Sequence, residues 1–329
     1  MVHKHYVVGY DLGEEYSQIS YCTGENPNPE TLPVVTGTEQ YNIPTVVCKR
    51  HGANQWFYGK EAVRKAKAGE GELIDHLVSR ACSGDQAEIE GRVYDVGALL
   101  TIFVKRSFGL LFSIAPQTTI DTLVLTTESL NSHMVEVLER VVEGLDLPEG
   151  KIFFQNYEES FYEFMIHQPS ELWLARTVLF DYRGSGFKVM NLEFNRQTKP
   201  VVGTIETEVI EGFPIREQTD DGKIANDREL DNALVKVADR EGNGLRISSC
   251  YCIGDGFSGG WMQNSLRAMC QGGWRVFQGN NLYSKGAAFT AYQKQYTKEE
   301  ERRYLFLGKS KIKTNVSIQA REGDEMVYE

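Results

Sequence analysis

An apolar strand that ends on an aspartate, turns at a glycine and re-enters as a second strand occurs twice in this chain. The first copy is Tyr6-Val7-Val8-Gly9-Tyr10-Asp11-Leu12-Gly13-Glu14-Glu15-Tyr16-Ser17-Gln18-Ile19-Ser20. The second is Thr177-Val178-Leu179-Phe180-Asp181-Tyr182-Arg183-Gly184-Ser185-Gly186-Phe187-Lys188-Val189-Met190. Each reads as a buried strand, a tight turn and a return strand. Such a turn leaves a carboxylate beside bare backbone amides, a pairing that holds phosphate oxygens and the metal that accompanies them. Alone, one copy is an ordinary hairpin whose aspartate satisfies its turn. Two copies about 170 residues apart read as an internal duplication, with both turns able to face one phosphate chain between the halves.

The intervening segments predict an α/β layer with a mostly parallel sheet. Residues 43–48 and 56–58 read as a strand pair, and Gly59 turns the chain into a helix over 60–68. A second helix is expected over 72–82, and a long apolar helix over 94–114 that contains Gly97 and Gly109. Residues 122–127 are apolar or β-branched throughout, as a strand buried on both faces requires. Asn131 or Ser132 caps the next helix, whose apolar residues Met134, Leu138, Val141, Val142 and Leu145 recur at helical spacing. A strand at 152–154 and a helix over 158–167, stopped by Pro169, follow. Beyond the second hairpin come strands over 201–210, a polar loop over 216–227, a helix over 229–240 and a strand at 250–253. That strand enters Gly254-Asp255-Gly256-Phe257-Ser258-Gly259-Gly260. A helix with Trp261, Met262, Leu266, Met269 and Cys270 on its apolar side, a strand at 274–277 and a small-residue helix over 286–292 complete the pattern.

Composition excludes several classes. The chain has 329 residues, more than one typical core, and its 41% hydrophobic and 25% charged content is that of a soluble globular protein. A net charge of -11 argues against a nucleic-acid partner, which wants a basic face. No apolar run approaches the roughly 20 residues of a membrane span, and no signal-peptide core opens the sequence. Cys22, Cys48, Cys82, Cys250, Cys252 and Cys270 lack paired metal spacing and read as reduced thiols, hence a cytoplasmic setting. His76, His133 and His167 have no companion at ligand spacing. Ser258 sits in a strand-to-helix turn without a histidine–aspartate pair to activate it.

The ordered motifs resemble the actin-like ATPase superfamily, and within it the nucleotide-binding domain of DnaK-type chaperones, over residues 6–295. Residues 8–17 resemble the first phosphate loop. Ile43-Pro44-Thr45-Val46-Val47 and Gly59-Lys60-Glu61-Ala62 resemble the chaperones' Pro-Ser/Thr-x-Val strand and Gly-x-x-Ala helix. Residues 180–187 resemble the second phosphate loop, 253–260 the adenosine loop, and Tyr283-Ser284-Lys285-Gly286-Ala287-Ala288 the closing helix. The resemblance implies a two-lobed fold of the duplicated ribonuclease H type. Lobe I would span 1–175 and lobe II 176–297, with the 286–297 helix packing back on lobe I. A β-type extension would occupy 298–329, and the outer subdomain of lobe II would be reduced.

It also implies ATP or ADP with Mg2+ in the interlobe cleft. Asp11 and Asp181 match the two aspartates that hold Mg2+ through water, and Glu158 matches the glutamate that organises the attacking water. Phosphate would meet the amides of Leu12, Gly13, Glu14, Glu15 and Tyr16 and of Arg183, Gly184, Ser185 and Gly186, with Gly254, Asp255, Gly256 and Phe257 against the adenosine. The match decays at particular residues. Glu14 and Glu15 stand where the family carries hydroxyls, and two carboxylates repel a triphosphate unless a cation intervenes or they turn outward. The second loop lacks its threonine. Asp75 falls at the catalytic lysine, removing the charge stabiliser of hydrolysis. Arg183 is either a bidentate phosphate clamp or a solvated turn residue.

The function these residues favour is a slow Mg-ATP switch; the alternatives are a degenerate non-hydrolysing interaction scaffold and a small-molecule kinase whose substrate aspartate is not identifiable. The partners expected are a nucleotide and a protein or following C-terminal domain. The alternating stretch 311–318 and the apolar residues 326–328 need a partner edge.

Overall fold

The computed structural model describes residues 4–35, 37–114, 118–145, 147, 151–184, 186–219, 223–279, 281–298, 303–308, 319–322 and 325–328. The chain is mixed α/β. Each hairpin of the repeated motif founds a sheet. In the first sheet, β1 (Lys4–Leu12) pairs antiparallel with β2 (Tyr16–Thr23), and β2 pairs antiparallel with the short β3 (Glu30–Thr31) and β4 (Ile43–Pro44). On the other flank of β1, β10 (Thr118–Thr127) and then β11 (Lys151–Asn156) run parallel. The second sheet repeats this order and sense. There β12 (Arg176–Arg183), β13 (Gly186–Asn195) and β14 (Val201–Val209) are antiparallel neighbours, and β15 (Ile247–Ile253) and β16 (Arg275–Gln278) continue parallel from β12. A further strand, β17 (Tyr304–Phe306), adds to β14 in parallel.

Strand parity explains the layers. In β1, Tyr6, Val8, Tyr10 and Leu12 point into one core with α2 (Leu77–Cys82), α3 (Val96–Ser107) and α5 (Ser132–Leu145). Val7 points to the other face, against α9 (Leu282–Tyr296). In β12, Val178, Phe180 and Tyr182 pack beneath α7 (Asp227–Gly242) and α8 (Asn264–Gln271), while Leu179 turns toward α6 (Tyr157–Ile166). Asp11 shares parity with Val7 and Asp181 with Leu179. Both carboxylates therefore fall on the face shared with α6 and α9, the two helices that pack against each other between the sheets.

That central seam is tight. A Cβ on Gly9 would lie 2.2 Å from the backbone nitrogen of Ala288, and one on Gly286 would lie 1.9 Å from the carbonyl oxygen of Ser160. Hydroxyl pairs fill the seam where larger groups cannot: Ser20 with Ser284 at 2.8 Å and Thr126 with Ser160 at 2.7 Å. His167 closes its end, stacked on Phe289 at 3.9 Å and donating from Nδ1 to the Glu163 carbonyl at 2.7 Å.

Several expectations need correction. The helix expected over 72–82 begins only at Leu77. The preceding residues form β7 (Gly71–Ile74), which pairs with β5 (Val47–Arg50) beside β6 (Trp56–Tyr58), with α1 (Gly59–Lys67) packed on the three. Pairing with β5 overrides local preference there. Tyr94 lies not in a helix but in β9 (Arg92–Asp95), hairpinned to β8 (Gln86–Ile89). Asp95 caps α3 by accepting from the Gly97 amide at 3.0 Å, which fixes the true start of that helix. The apolar stretch then breaks at Phe108 into α4 (Gly109–Ile114). By length and composition alone, Val96–Ser113 is apolar enough to cross a membrane. Its residues Val96, Leu99, Leu100, Phe103, Val104, Phe108 and Leu111 are instead core. Trp261 and Met262 are buried but precede α8, and Cys270 is exposed. The stretch 311–318 lies outside the described residues, and beyond it β18 (Gln319–Glu322) pairs with β19 (Glu325–Tyr328).

Two outcomes follow from the seam. Gly286→Ala forces a methyl group onto a backbone oxygen and should lower stability by about 1–3 kcal/mol. Gly109→Ala, in open space, should be neutral or mildly stabilising; equal effects in urea unfolding would contradict the packing. Burial lowers the His167 pKa. The imidazole is thus neutral in the folded chain and protonates in the unfolded one, so its contribution is complete above the usual histidine range and is lost as pH falls through it. His167→Phe should flatten the loss of stability between about pH 7 and pH 5; parallel curves for the two proteins would refute this.

Candidate functional site

At the ends of β1 and β12 the two aspartates meet in a largely buried cluster. Asp11 is 2% exposed and Asp181 4%. Tyr157, the first residue of α6, donates its hydroxyl to Asp11 Oδ1 at 2.7 Å. Tyr283, in the first turn of α9, donates to Asp181 Oδ2 at 2.8 Å. The two tyrosine rings stack at 3.8 Å and 7°. Arg183 reaches into the same space. Its Nε donates to Asp181 Oδ1 at 2.8 Å and its Nη1 to the Tyr157 hydroxyl at 3.4 Å, with the guanidinium carbon 5.1 and 5.2 Å from the two ring centres.

Electrostatics follow from this burial. Desolvation pushes Asp11 up to about 6, opposed by Arg183 and the Tyr157 hydroxyl and reinforced by Asp181. Desolvation works against the charge on Arg183, but Asp181 first, then Tyr157 and Asp11, hold the guanidinium charged. Burial raises both tyrosines well above their ordinary range, which keeps them neutral donors.

The first turn is fixed from outside the cleft. Thr45 donates from Oγ1 to the Gly13 carbonyl at 2.9 Å and from its amide to the Glu15 carbonyl at 2.9 Å. Leu12 is core. Glu14 turns outward, accepting from the Ser79 amide at 2.9 Å and hydroxyl at 2.6 Å, with His76 Nδ1 at 3.3 Å. Glu15 does the opposite. Its carboxylate lies against the second turn, where a Cβ on Gly184 would stand 2.1 Å from its Oε1. Burial raises its pKa and so does Asp255, while Arg183 and the Gly184 amide act in the other direction. Tyr16 is half-buried at the rim.

In the second turn, Gly184 and Gly186 are described and Ser185 lies outside the described residues. Gly254 adopts φ +97°, and a Cβ there would meet the Tyr182 carbonyl at 2.2 Å, so the Gly254–Gly256 turn is set by its close approach to β12. Asp255 borders the cleft. Phe257 is fully buried in the core beneath α7 and α8 rather than lining the cleft, a correction to its expected adenosine contact.

Two other expected roles change. Glu158 has no hydrogen bond or ion pair to either aspartate; its Oε1 accepts from Thr207 on β14 at 2.6 Å. Asp75 is exposed in the turn before α2. Lys188 on β13 forms an ion pair with Glu128 past the end of β10, a second bridge between the sheets. Sequence reasoning missed Tyr157, Tyr283, Thr207 and this ion pair. The available signal was symmetry, since each tyrosine opens the helix that follows its own sheet.

The free space around the turns is divided among three cavities. Between Asp11, Glu15, Asn42, Arg183 and Gly254 the free space is about 20 Å³, room for roughly one water. A second cavity, about 170 Å³ between Gly13, Ser79, Glu128 and Arg183, is below the roughly 300 Å³ at which ligand pockets begin. A third, about 330 Å³, is lined by Arg183, Gly184 and Gly186 of the second turn and by Asp255 and Gly256, against Phe213 and Arg216. Among the described residues no three His, Cys, Asp or Glu side chains gather to hold a metal.

No curated protein matches the chain. Residues 28–309, which take in most of both sheets and the cluster's second half, match the model described as Family of unknown function (DUF5716) C-terminal, and the chain belongs to that family.

Proposed function

We propose that this chain is a divergent module of the actin and DnaK-type chaperone kind that does not run an ATPase cycle and serves as a protein-interaction scaffold. The identical order and sense of the two sheets support the duplicated two-lobed fold. The reading is carried by one observation: the two aspartates that the resemblance assigns to Mg2+ are already satisfied by Arg183, Tyr157 and Tyr283. A guanidinium occupies the cation's place between them, and it is supplied by the chain.

Hydrolysis demands more than a folded cleft. It needs an oriented water and charge stabilisation of the leaving phosphate in the transition state. Glu158 is bound to Thr207, and the position matching the chaperone lysine is a solvent-facing aspartate. A closed rather than mobile cleft is also what cross-sheet contacts such as Lys188 with Glu128 favour.

The competing reading, a slow Mg-ATP switch, draws on the retained glycine turns of both hairpins, since backbone amides supply much of a phosphate grip. The two readings part on a melting experiment. A folded protein with ligand at 100 times its Kd gains about 2.7 kcal/mol. For this chain, millimolar ATP or ADP with Mg2+ should leave the melting temperature where Mg2+ alone leaves it, and phosphate release should stay at the buffer rate. A Mg-dependent rise in Tm would overturn the scaffold reading and restore the switch.

A further inference from the structure

The two hairpins exchange charged side chains. From the first, Glu15 crosses to the second turn, its Oε1 2.1 Å from where a Cβ of Gly184 would stand. From the second, Arg183 crosses to the first. Its Nη1 lies 3.4 Å from where a Cβ of Gly13 would stand, and it reaches Asp11 through the Tyr157 hydroxyl. On the way its Cγ passes 3.1 Å from the Cβ position of Gly254, so one side chain touches all three glycine turns. An anion against a glycine turn and a cation beside two carboxylates are the two interactions that a bound metal–phosphate pair makes at such turns. Here each is made by a side chain tethered to the opposite half.

The geometry points to a cleft that carries its own ligand: Arg183 stands in for a divalent cation and Glu15 for a phosphate oxygen, and together they hold the two halves closed and mask a nucleotide site. This deepens the scaffold reading and rests on it. The charges support the assignment. Arg183 puts a positive charge beside both carboxylates, the sign an external cation would otherwise supply there. The Glu15 carboxylate faces Arg183, with Asp255 opposing it and His76 aiding it, so it adds an anion on the cation's open side. The chain's arrangement also accounts for the sequence departures that weaken the family match. The residues that replace hydroxyl and glycine in the loops are the ones that fill the space.

Removing the surrogates should uncover the site. In the Glu15→Ser/Arg183→Gly double variant, titration calorimetry with ATP should show Mg-dependent binding at least tenfold tighter than in wild type, with each single variant falling short of the pair. A folded double variant that gains nothing overturns this inference and leaves the scaffold reading standing. Wild type that binds Mg-ATP as tightly as the double variant overturns both. A measurement on the unaltered chain holds if the variants do not fold. Hydrogen exchange followed by NMR should show the Arg183 Nε proton protected in nucleotide-free protein and unchanged by millimolar Mg-ATP. Its exchange at the rate of a solvent-exposed arginine would refute the self-ligated cleft.

Discussion

Two buried carboxylates side by side are tolerable only with a well-placed cation. Moving such ions out of water costs several kcal/mol each, and their attraction offsets that only with good geometry. Arg183 gives Nε to Asp181 and Nη1 to the Tyr157 hydroxyl, the two tyrosines donate to one aspartate each, and their ring faces lie beside a guanidinium that keeps one edge in solvent. The cluster draws on β1, β12, α6 and α9 at once, and thereby on both sheets. Asp181 has two partners and Asp11 has Tyr157, so the cluster ties the position of one half to the other through directed contacts.

The cluster in turn depends on how closely the central helices approach. Gly9 lets α9 lie on β1, and Gly286 lets α9 lie on α6. Were either contact wider by a methyl group, the Tyr157 and Tyr283 rings could not stack at 3.8 Å and their hydroxyls would no longer reach separate aspartates. Packing density at the seam thus sets the chemistry at its end. Thr45 plays the matching part for the first turn, holding Gly13 and Glu15 by their carbonyls so that the Glu15 side chain is free to cross.

Much of the frame was legible in the residues. The Asp-turn-strand units, the strands at 122–127 and 250–253 and the helix after the first of them are strong local patterns, and they fall where periodicity put them. The failures are those of local reasoning. Residues 71–74 are a strand because β5 offers an edge, and residues 92–95 are a strand because β8 does; neither edge is visible along the sequence. At the site, Asp11, Asp181, Arg183 and the glycine turns, which the sequence reading grouped, lie near one another. Sequence reasoning could not tell which of Glu14 and Glu15 turns inward. That depends on Ser79 and His76, more than sixty positions away, capturing the first and freeing the second. Nor could it foresee that Glu158 is bonded to Thr207, a pairing set by where β14 lies against α6.

The distinction between a bound and a tethered ligand decides what kind of device the proposed fold can be. A ligand shifts a conformational equilibrium only by its differential affinity for the two states, and its effect scales with its concentration. A side chain has no concentration to vary. If Arg183 and Glu15 supply the closing interactions, the closed state is the resting state under all nucleotide conditions, and the cleft no longer senses metabolite levels. Opening would then have to be driven by contacts made elsewhere on the surface, and by linkage those contacts would be strengthened by anything that loosened the cluster. Such a chain is suited to present a fixed shape to a partner, and partner binding becomes the one input through which its two halves could move.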